Sequence, residues 1–308
     1  MNILGLDIGG TAVKMGILDS DGQFLFKAEH SVSFDGYQTP ILDTALYCAR
    51  QFVQQCGVEI AGIGISATGQ IDVESGTVVG TCGNLPGWVG VSLKNVFEDA
   101  FHVPVVAMND ANAAILGESW MGAARGCQDV VMVTLGTGVG GGVLVNGQVL
   151  EGRMGLAGEL GHMPLKHHGR LCTCGNRGCY EQYASATALL SLAEERLALR
   201  PANAKALFDL AEGGDEAVAQ LLGEWRDAIA AGLVGLTHLF SPELILLGGG
   251  VSRQEEWLVA PVRDAVLRLA MPRFVQGLRI EAAKLGNEAG MMGAAYCWMN
   301  QYDHSLQR

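Results

Sequence analysis

The chain has 308 residues, of which 49% are hydrophobic and 17% are charged, and its formal net charge at neutral pH is −12. This length allows two lobes with separate hydrophobic cores, and the composition is that of a globular protein. Lysine and arginine are scattered and form no basic stripe, so nucleic acid is not expected as a partner. A small phosphorylated ligand is still compatible with this charge, because backbone amides and a metal ion can hold its phosphates.

The N-terminal segment reads MNILGLDIGG, without a basic region and with Asp7 interrupting the apolar run, so we expect no secretory signal. The longest apolar stretch, 130–145, is too short and too rich in glycine for a membrane span. Eight cysteines without such a signal favour a reducing, cytoplasmic location, where cysteines bind metal more often than they form disulfides.

The first third of the chain predicts three strands linked by turn residues, followed by alternating helices and strands. The order is βββαβαβα, and the strand near residue 60 is uniformly apolar or small, as in a strand buried on both faces. Strands are expected over 2–7, 11–18, 23–28, 60–66 and 103–108, and helices over 40–55, 92–100 and 111–121.

The pattern of strand, glycine loop, strand and turn recurs near residue 130, where Asn146-Gly147 is a strong hairpin signal. This recurrence predicts an internal duplication, with two related α/β lobes and a cleft between them. Beyond residue 183 the chain is expected to be mostly helical. Strands are expected here over 130–135, 139–145 and 243–247, and helices over 187–198, 203–211, 216–240, 254–269 and 290–299.

The first glycine loop lies in the segment DIGGTAVK, which begins at Asp7. Gly9 and Gly10 allow a tight turn whose amides can face a phosphate, and Thr11 adds a hydroxyl. Asp7 could hold Mg²⁺ directly or through water. Lys14 could reach a phosphate or could equally be a solvated strand residue. An ordinary Gly-Gly hairpin is the alternative for the whole segment.

The second glycine loop, GTGVGGG over 136–142, has five glycines in seven residues and includes Thr137 and Gly138. It lacks the Gly-Lys-Ser/Thr ending of a Walker A loop, and the spacing and the following strand exclude a dinucleotide fingerprint. Two such loops at equivalent places in a duplicated chain favour a two-sided phosphate clamp over two plain hairpins.

The segment Asn109-Asp110 follows a predicted buried strand and begins a helix. A carboxylate in this position can face a ligand and accept the proton of an attacking hydroxyl, as kinases require. The alternative is that Asp110 only caps the helix.

A dense group of cysteines lies in the segment GHMPLKHHGRLCTCGNRGC. His162, Cys172, Cys174 and Cys179 form a Cys₃His set, the ligand chemistry of a closed, structural zinc site. A redox role is less favoured because the spacing is not C-x-x-C, and His167 or His168 could replace His162. Folding of this segment around zinc would draw Glu159 and Glu181 together as acceptors for sugar hydroxyls, although each could be an ordinary surface carboxylate. Asn84 is a further polar candidate, with a turn before Pro86 as its alternative.

Five segments together resemble the ROK family of repressors, open reading frames and kinases. The resemblance runs over nearly the whole chain. The segments are DIGGT from Asp7, NDAN from Asn109, LGTGVGGG over 135–142, GLAGELGH over 155–162 and CTCGNRGCYE over 172–181.

The resemblance implies the actin-like, ribonuclease-H-like ATPase fold, with lobes that close around sugar and ATP. We expect a small lobe over 1–115, completed by a C-terminal helix at about 290–308, and a large lobe over 116–289 that carries the zinc loop. A homodimer is implied by the resemblance alone. The family's repressors carry a DNA-binding segment ahead of the first glycine loop, which here begins too early to leave room for one.

The resemblance also implies the activity, an ATP-dependent phosphorylation of a free hexose or N-acetylhexosamine, expected at the C6 hydroxyl with Mg²⁺. A non-catalytic sugar sensor of the same family is the alternative. Asp110 matches the catalytic base, and His162 matches both a zinc ligand and a sugar contact. The other implied sugar contacts are Asn84, Asn109, Glu159 and Glu181, and the implied ATP contacts are Asp7, Gly9, Gly10, Thr11, Lys14, Thr137, Gly138, Gly249 and Gly250.

Overall fold

The computed structural model describes residues 1–32, 35–81 and 85–303. The strands within these ranges are β1 (Ile3–Ile8), β2 (Ala12–Leu18), β3 (Phe24–Ser31), β4 (Gly62–Ala67), β5 (Gln70–Asp72), β6 (Thr77–Gly80), β7 (Val105–Asn109), β8 (Val130–Leu135), β9 (Val139–Val145), β10 (Gln148–Val149), β11 (Leu244–Gly248) and β12 (Arg279–Ala282). The α-helices are α1 (Ile41–Cys56), α2 (Leu93–Phe101), α3 (Asp110–Met121), α4 (Glu181–Ala184), α5 (Ala186–Leu197), α6 (Ala204–Glu212), α7 (Glu216–Phe240), α8 (Ala260–Leu269) and α9 (Ala289–Tyr302).

Two five-stranded sheets have equivalent strand orders, β3-β2-β1-β4-β7 and β10-β9-β8-β11-β12. In each sheet a central strand pairs antiparallel with the strand that follows it and parallel with a later one: β1 with β2 and β4, and β8 with β9 and β11. The outer pairs β4–β7 and β11–β12 are also parallel. This correspondence confirms the predicted α/β fold class with duplicated lobes.

The burial of the strands follows their place in the sheet. Every residue of β4 is buried, which is why its sequence is uniformly apolar or small. The edge strand β3 has no fully buried residue and is rich in polar side chains. A charged, half-exposed edge of this kind discourages pairing with other chains.

The chain divides into two compact units. The first comprises Met1–Arg125, Val149–Ala157 and Asn287–Arg308, and the second comprises Gly126–Gln148 and Gly158–Gly286. None of the helices in the described part of the chain is both long and apolar enough to cross a membrane.

Helix α9 covers the first unit's sheet, where it packs on β1 and β4 and also crosses α3. Glycines make this approach possible. A Cβ atom on Gly64 would lie 2.0 Å from the carbonyl oxygen of Ala294, and one on Gly293 would lie 1.6 Å from that of Ala113. Because any side chain at these positions would push the helix away, the two glycines set the distance between α9 and its neighbours.

Three features of the fold were not predicted from the sequence. The small hairpin of β5 and β6 and the edge strand β12 have no more than four residues each, too few for a clear alternation. The predicted helix over 254–269 begins as a π-helical turn, and its α-helical part begins at Ala260 with Pro261 in the first turn.

Candidate active site

In the first unit, the candidate residues follow the carboxyl ends of parallel strands. Strands β1, β4 and β7 are parallel neighbours, so their carboxyl ends lie at one edge of the sheet. In open α/β sheets, ligands bind beyond this edge. The first glycine loop follows β1, and the segment Asn109-Asp110 ends β7 and begins α3.

The carboxylate of Asp7 is held by two neighbours. Lys14 Nζ lies 3.2 Å from Asp7 Oδ2, and the buried hydroxyl of Ser66 donates to Asp7 Oδ1 at 2.7 Å. Gly290, near the start of α9, also lies close to this carboxylate, because a Cβ added to it would be 2.9 Å from Asp7 Oδ1. The structure therefore brings Asp7 and Lys14 together. It adds Ser66 and Gly290, which the sequence analysis missed because they are remote in the chain.

The first glycine loop is a tight hairpin. The amide of Gly9 donates to the carbonyl of Ala12 at 2.9 Å, and the carbonyl of Gly10 accepts the hydroxyl of Tyr37 at 2.8 Å. Thr11 is exposed. The backbone of the loop is thus fixed from within and from one side, while its threonine side chain remains accessible to a ligand.

Asn109, rather than Asp110, caps helix α3. Its Oδ1 accepts the amides of Ala111 at 2.9 Å and Asn112 at 3.2 Å, and its Nδ2 donates to the carbonyl of Gly69 at 2.9 Å. Asp110 is the first residue of the helix, and its carboxylate is exposed. Asp110 Oδ1 also accepts the amide of Ala111, at 2.8 Å, so Asn109 is the N-cap and Asp110 supplements it at one amide.

In the second unit, the second glycine loop connects β8 to β9. Leu135 pairs with Val139, and the amide of Gly136 donates to the carbonyl of Gly138 at 3.0 Å. Thr137 is exposed at the tip. This hairpin is one residue shorter than the one between β1 and β2, where Ile8 pairs with Val13, and it also carries an accessible threonine.

Gly249 follows β11, the parallel neighbour of β8, and therefore lies at the same sheet edge as the second glycine loop. Its φ of +89° lies in the left-handed region, and a Cβ there would be 2.2 Å from the carbonyl oxygen of Leu135. Around Gly250 there is open space. Glycine at 249 thus permits close contact with the end of β8, where the glycine loop begins.

Four ligand atoms from His162, Cys172, Cys174 and Cys179 lie within 4.8 Å of one another. The Sγ atoms of Cys174 and Cys179 are 3.6 Å apart, and Cys172 Sγ is 3.6 Å from His162 Nδ1. Tetrahedral zinc requires sulfur–sulfur distances of about 3.8 Å and sulfur–nitrogen distances of about 3.6 Å. The donor set and its spacing therefore fit zinc, with the nitrogen supplied by His162.

Backbone hydrogen bonds fold the cysteine loop. The amide of Cys172 donates to the carbonyl of Asn176 at 2.8 Å, and Gly175 donates back to Cys172 at 2.9 Å. Burial raises the pKa of the Cys179 thiol to about 12, whereas a backbone hydrogen bond at Asn176 lowers the pKa of Cys174. A metal ion bound here replaces the thiol protons.

Tyr180 anchors this loop to helix α7. Its side chain is fully buried, and its hydroxyl donates to the carbonyl of Ile229 at 2.8 Å. A Cβ on Gly232 would lie 2.3 Å from the Tyr180 ring, so the glycine makes room for it. Because Tyr180 lies between Cys179 and Glu181, this anchor fixes both neighbours.

The three predicted sugar contacts of the second unit lie around the cysteine cluster. His162 Nε2 is 4.0 Å from Glu159 Oε2, and Glu181 Oε1 is 3.7 Å from Cys172 Sγ. His162 therefore directs Nδ1 to the cluster and Nε2 toward a carboxylate. Asn84, the remaining predicted contact, lies outside the described residues.

The fold and the paired glycine hairpins define a protein of the actin-like ATPase class. The model of the ROK family matches residues 3–301, and the chain therefore belongs to this family. The resemblance deduced from the sequence motifs is thereby confirmed.

Relatives of known identity match the chain along its length. A glucokinase of Thermotoga maritima is 37% identical, with 96% of each chain covered. The crystal structure of a ROK family glucokinase from Streptomyces griseus, in complex with glucose and AMPPNP, is 32% identical with a TM-score of 0.82, covering 96% of this chain and 99% of that one. A xylose repressor of Caldicellulosiruptor bescii is 27% identical over 95% of this chain and 76% of the repressor.

Proposed function

We propose that this protein is an ATP-dependent kinase that phosphorylates the C6 hydroxyl of a free hexose or N-acetylhexosamine. The observation that carries the proposal is the match to a glucokinase over 96% of both chains. The paired glycine hairpins, the exposed carboxylate of Asp110 and the Cys₃His cluster support it, because each has a role in such a reaction.

The two hairpins are the proposed phosphate-binding elements. In the first unit, Gly9, Gly10 and Thr11 offer backbone amides and a hydroxyl, with Asp7 and Lys14 beside them. In the second unit, Thr137 and Gly138 offer the same groups, and Gly249-Gly250 lie at the same sheet edge. Mg²⁺ bound with the nucleotide neutralises charge on the phosphate oxygens.

Asp110 is the proposed general base. As the sugar oxygen attacks the γ-phosphorus of ATP, its proton passes to the Asp110 carboxylate and ADP leaves with the electron pair of the broken P–O bond. The exposed position of Asp110 at the first turn of α3 gives it access to a hydroxyl. Asn109 holds the helix start in place through its cap.

The proposed sugar contacts are distributed along the chain. Asn84 and Asn109 belong to the first unit, and Glu159, His162 and Glu181 to the second. Zinc in the Cys₃His cluster would be structural, since four protein ligands complete its tetrahedron. With Nδ1 bound to the metal, His162 would present Nε2 to the sugar as a hydrogen-bond donor. The bond from Nδ1 to the metal would fix the orientation of the ring.

The decisive experiment is an ADP-release assay with Mg-ATP across a panel of hexoses and N-acetylhexosamines. Glucose is the first sugar to test, because two of the relatives described above are glucokinases. Turnover with one or more sugars supports the kinase proposal and identifies the substrate. A folded, zinc-containing protein without turnover on any sugar would contradict it.

The alternative function is that of a sugar sensor without catalysis. The similarity to a xylose repressor favours this reading over an unrelated activity, since repressors of this kind share the same region of sequence. Calorimetry with the same sugars distinguishes the two, because a sensor binds sugar tightly but releases no ADP.

A further inference from the structure

The carboxylate of Glu181 has neighbours of two different kinds. Its Oε2 accepts the backbone amide of Val139 at 3.1 Å, and its Oε1 lies 3.7 Å from Cys172 Sγ. Val139 lies in the second glycine loop as the first residue of β9, and Glu181 begins α4 two residues after Cys179. One side chain therefore connects the proposed phosphate loop to the proposed zinc cluster.

Gly138 provides independent support for the importance of this contact. A Cβ at Gly138 would lie 2.2 Å from Glu181 Oε2, and the other close atoms are also from Glu181. The φ of Gly138 is outside the left-handed region, so the backbone itself permits a side chain there. In the same loop, a Cβ at Gly136 would meet nothing within 4 Å. A side chain at position 138 would therefore displace the Glu181 carboxylate from its hydrogen bond with the Val139 amide.

The turn that carries His162 and the segment that follows the cysteine loop also contact the hairpin directly. A Cβ on Gly161 would lie 2.0 Å from the carbonyl oxygen of Val139, and the amide of Ala186 donates to the carbonyl of Gly136 at 2.9 Å. The hairpin is therefore bordered by the His162 turn and by the segment that follows the cysteine loop.

The position of Glu181 is itself well fixed. Its neighbour Tyr180 is anchored on α7, and Trp225 Nε1 donates to the carbonyls of Ala184 and Ser185 at 3.1 Å. Because the chain around Glu181 is held in place, its carboxylate can hold the backbone of the glycine hairpin in one conformation. Without such support, glycine residues would sample many conformations.

We propose that Glu181 is a positioning residue for nucleotide binding, in addition to its proposed contact with the sugar. Its carboxylate holds the Gly136–Val139 hairpin in the conformation that receives phosphate. Nucleotide affinity then depends on Glu181 even in the absence of sugar. Because the same carboxylate is proposed to contact the sugar, sugar binding would change the hydrogen bond between Glu181 and the Val139 amide. This inference rests on the proposed kinase function.

The test measures binding of Mg-ADP by calorimetry without sugar, using the zinc-loaded full chain. The Glu181→Ala variant is expected to bind Mg-ADP about tenfold more weakly, because a hydrogen bond to a charged group is lost. The Glu181→Gln variant retains an oxygen that can accept the Val139 amide, and its affinity should stay within about threefold of the original. Glu159→Ala is the matched control, expected to weaken sugar binding but not Mg-ADP binding.

A second variant addresses the case in which Glu181→Ala loses zinc or fails to fold. Gly138→Ala places a methyl group against Oε2 and should weaken Mg-ADP binding to a similar extent. When both variants fold, combining them provides a stricter check, since Gly138→Ala should cause little further loss once Glu181 has been truncated.

The outcomes separate this inference from the proposal on which it rests. If the original protein binds Mg-ADP, and the folded, zinc-containing Glu181→Ala and Gly138→Ala variants bind it equally well, the positioning role is wrong. If the original protein binds no Mg-nucleotide at all, the proposed kinase function fails instead.

Discussion

The two glycine hairpins occupy equivalent places in their sheets but have different supports. In the first unit, the loop after β1 is held by Tyr37 and lies next to the Asp7–Lys14 pair. In the second unit, the loop after β8 is held by Glu181 and bordered by the segments that carry the metal ligands. Duplication thus preserved the hairpin, while each copy acquired its own means of fixing it.

The two glycine hairpins are therefore not expected to respond alike to one perturbation. The first hairpin depends on packing that involves α9, and the second depends on a cluster that fits zinc. Each of the following variants is designed to act on one hairpin or on neither.

The largest expected effect concerns the chemical step and leaves both hairpins intact. Asp110→Asn should lower turnover by about 10²-fold or more, because the sugar hydroxyl loses its proton acceptor. Affinity for Mg-ADP and zinc content should stay unchanged. Steady-state kinetics provide the measurement, with Asp99→Asn on the exposed face of α2 as the control. Near-normal turnover would remove Asp110 from the role of base.

Loss of the metal should act on the second hairpin alone. The purified protein should contain about one zinc per chain. Cys174→Ser should abolish this content, weaken sugar binding, and make the amides around Gly136–Val139 exchange about 100-fold faster. The amides of the first hairpin should exchange as before, which hydrogen-exchange mass spectrometry can resolve.

The control for this variant is Cys56→Ser, which lies outside the cluster and should retain zinc. A fully active protein without zinc would overturn the assignment of the cluster. Equal loosening of both hairpins would overturn the difference between their supports.

Displacement of α9 should loosen the first hairpin and leave the second unchanged. Gly64→Ala places a methyl group 2.0 Å from the Ala294 carbonyl oxygen and should lower the free energy of unfolding by about 2 kcal/mol. The first hairpin should loosen because α9 also approaches Asp7 through Gly290. Denaturant unfolding measures the loss of stability.

A matched glycine substitution without a clash serves as the control. Gly235 lies in α7 with nothing within 4 Å of its added Cβ, so Gly235→Ala should be neutral or slightly stabilising. If Gly64→Ala were equally neutral, close packing of α9 on β4 would not contribute to stability.

The smallest expected effect comes from a single hydrogen bond. Tyr37→Phe removes the donor to the Gly10 carbonyl and should cost about 1 kcal/mol, seen as about fivefold weaker binding of Mg-ADP. Hydrogen exchange at the second hairpin should not change. Tyr47→Phe, at an exposed residue of α1, is the control. An unchanged affinity in Tyr37→Phe would show that the first hairpin is rigid without this support.

Much of the fold could be predicted from the sequence because its signals are local. The hairpins are marked by glycines between apolar runs, and the ligands of the cluster lie close together in the chain. The duplication followed from the recurrence of one local pattern near residue 130. Strand β12 was missed because its four residues, although alternately polar and apolar, are too few for a clear signal.

Parts of the site could not be predicted because they depend on contacts between distant segments. Ser66 reaches Asp7 across 59 residues, and Glu181 reaches Val139 across 42. Spacing alone also could not distinguish Asn109 from Asp110 as the cap of α3, since both residue types favour that position. In the structure, Asn109 Oδ1 and Asp110 Oδ1 share the amide of Ala111, and Asn109 Oδ1 also accepts the amide of Asn112.

The packing of α9 has a consequence for how the protein is made. Strand β4 is complete at residue 67, but the helix that covers it begins at residue 289. At roughly 5–20 residues per second, a ribosome needs about 10–45 s to synthesise the intervening segment. During that time the first sheet lacks α9, the helix that packs on β1 and β4. The apolar residues that α9 covers are therefore exposed in the nascent chain until α9 has left the ribosome.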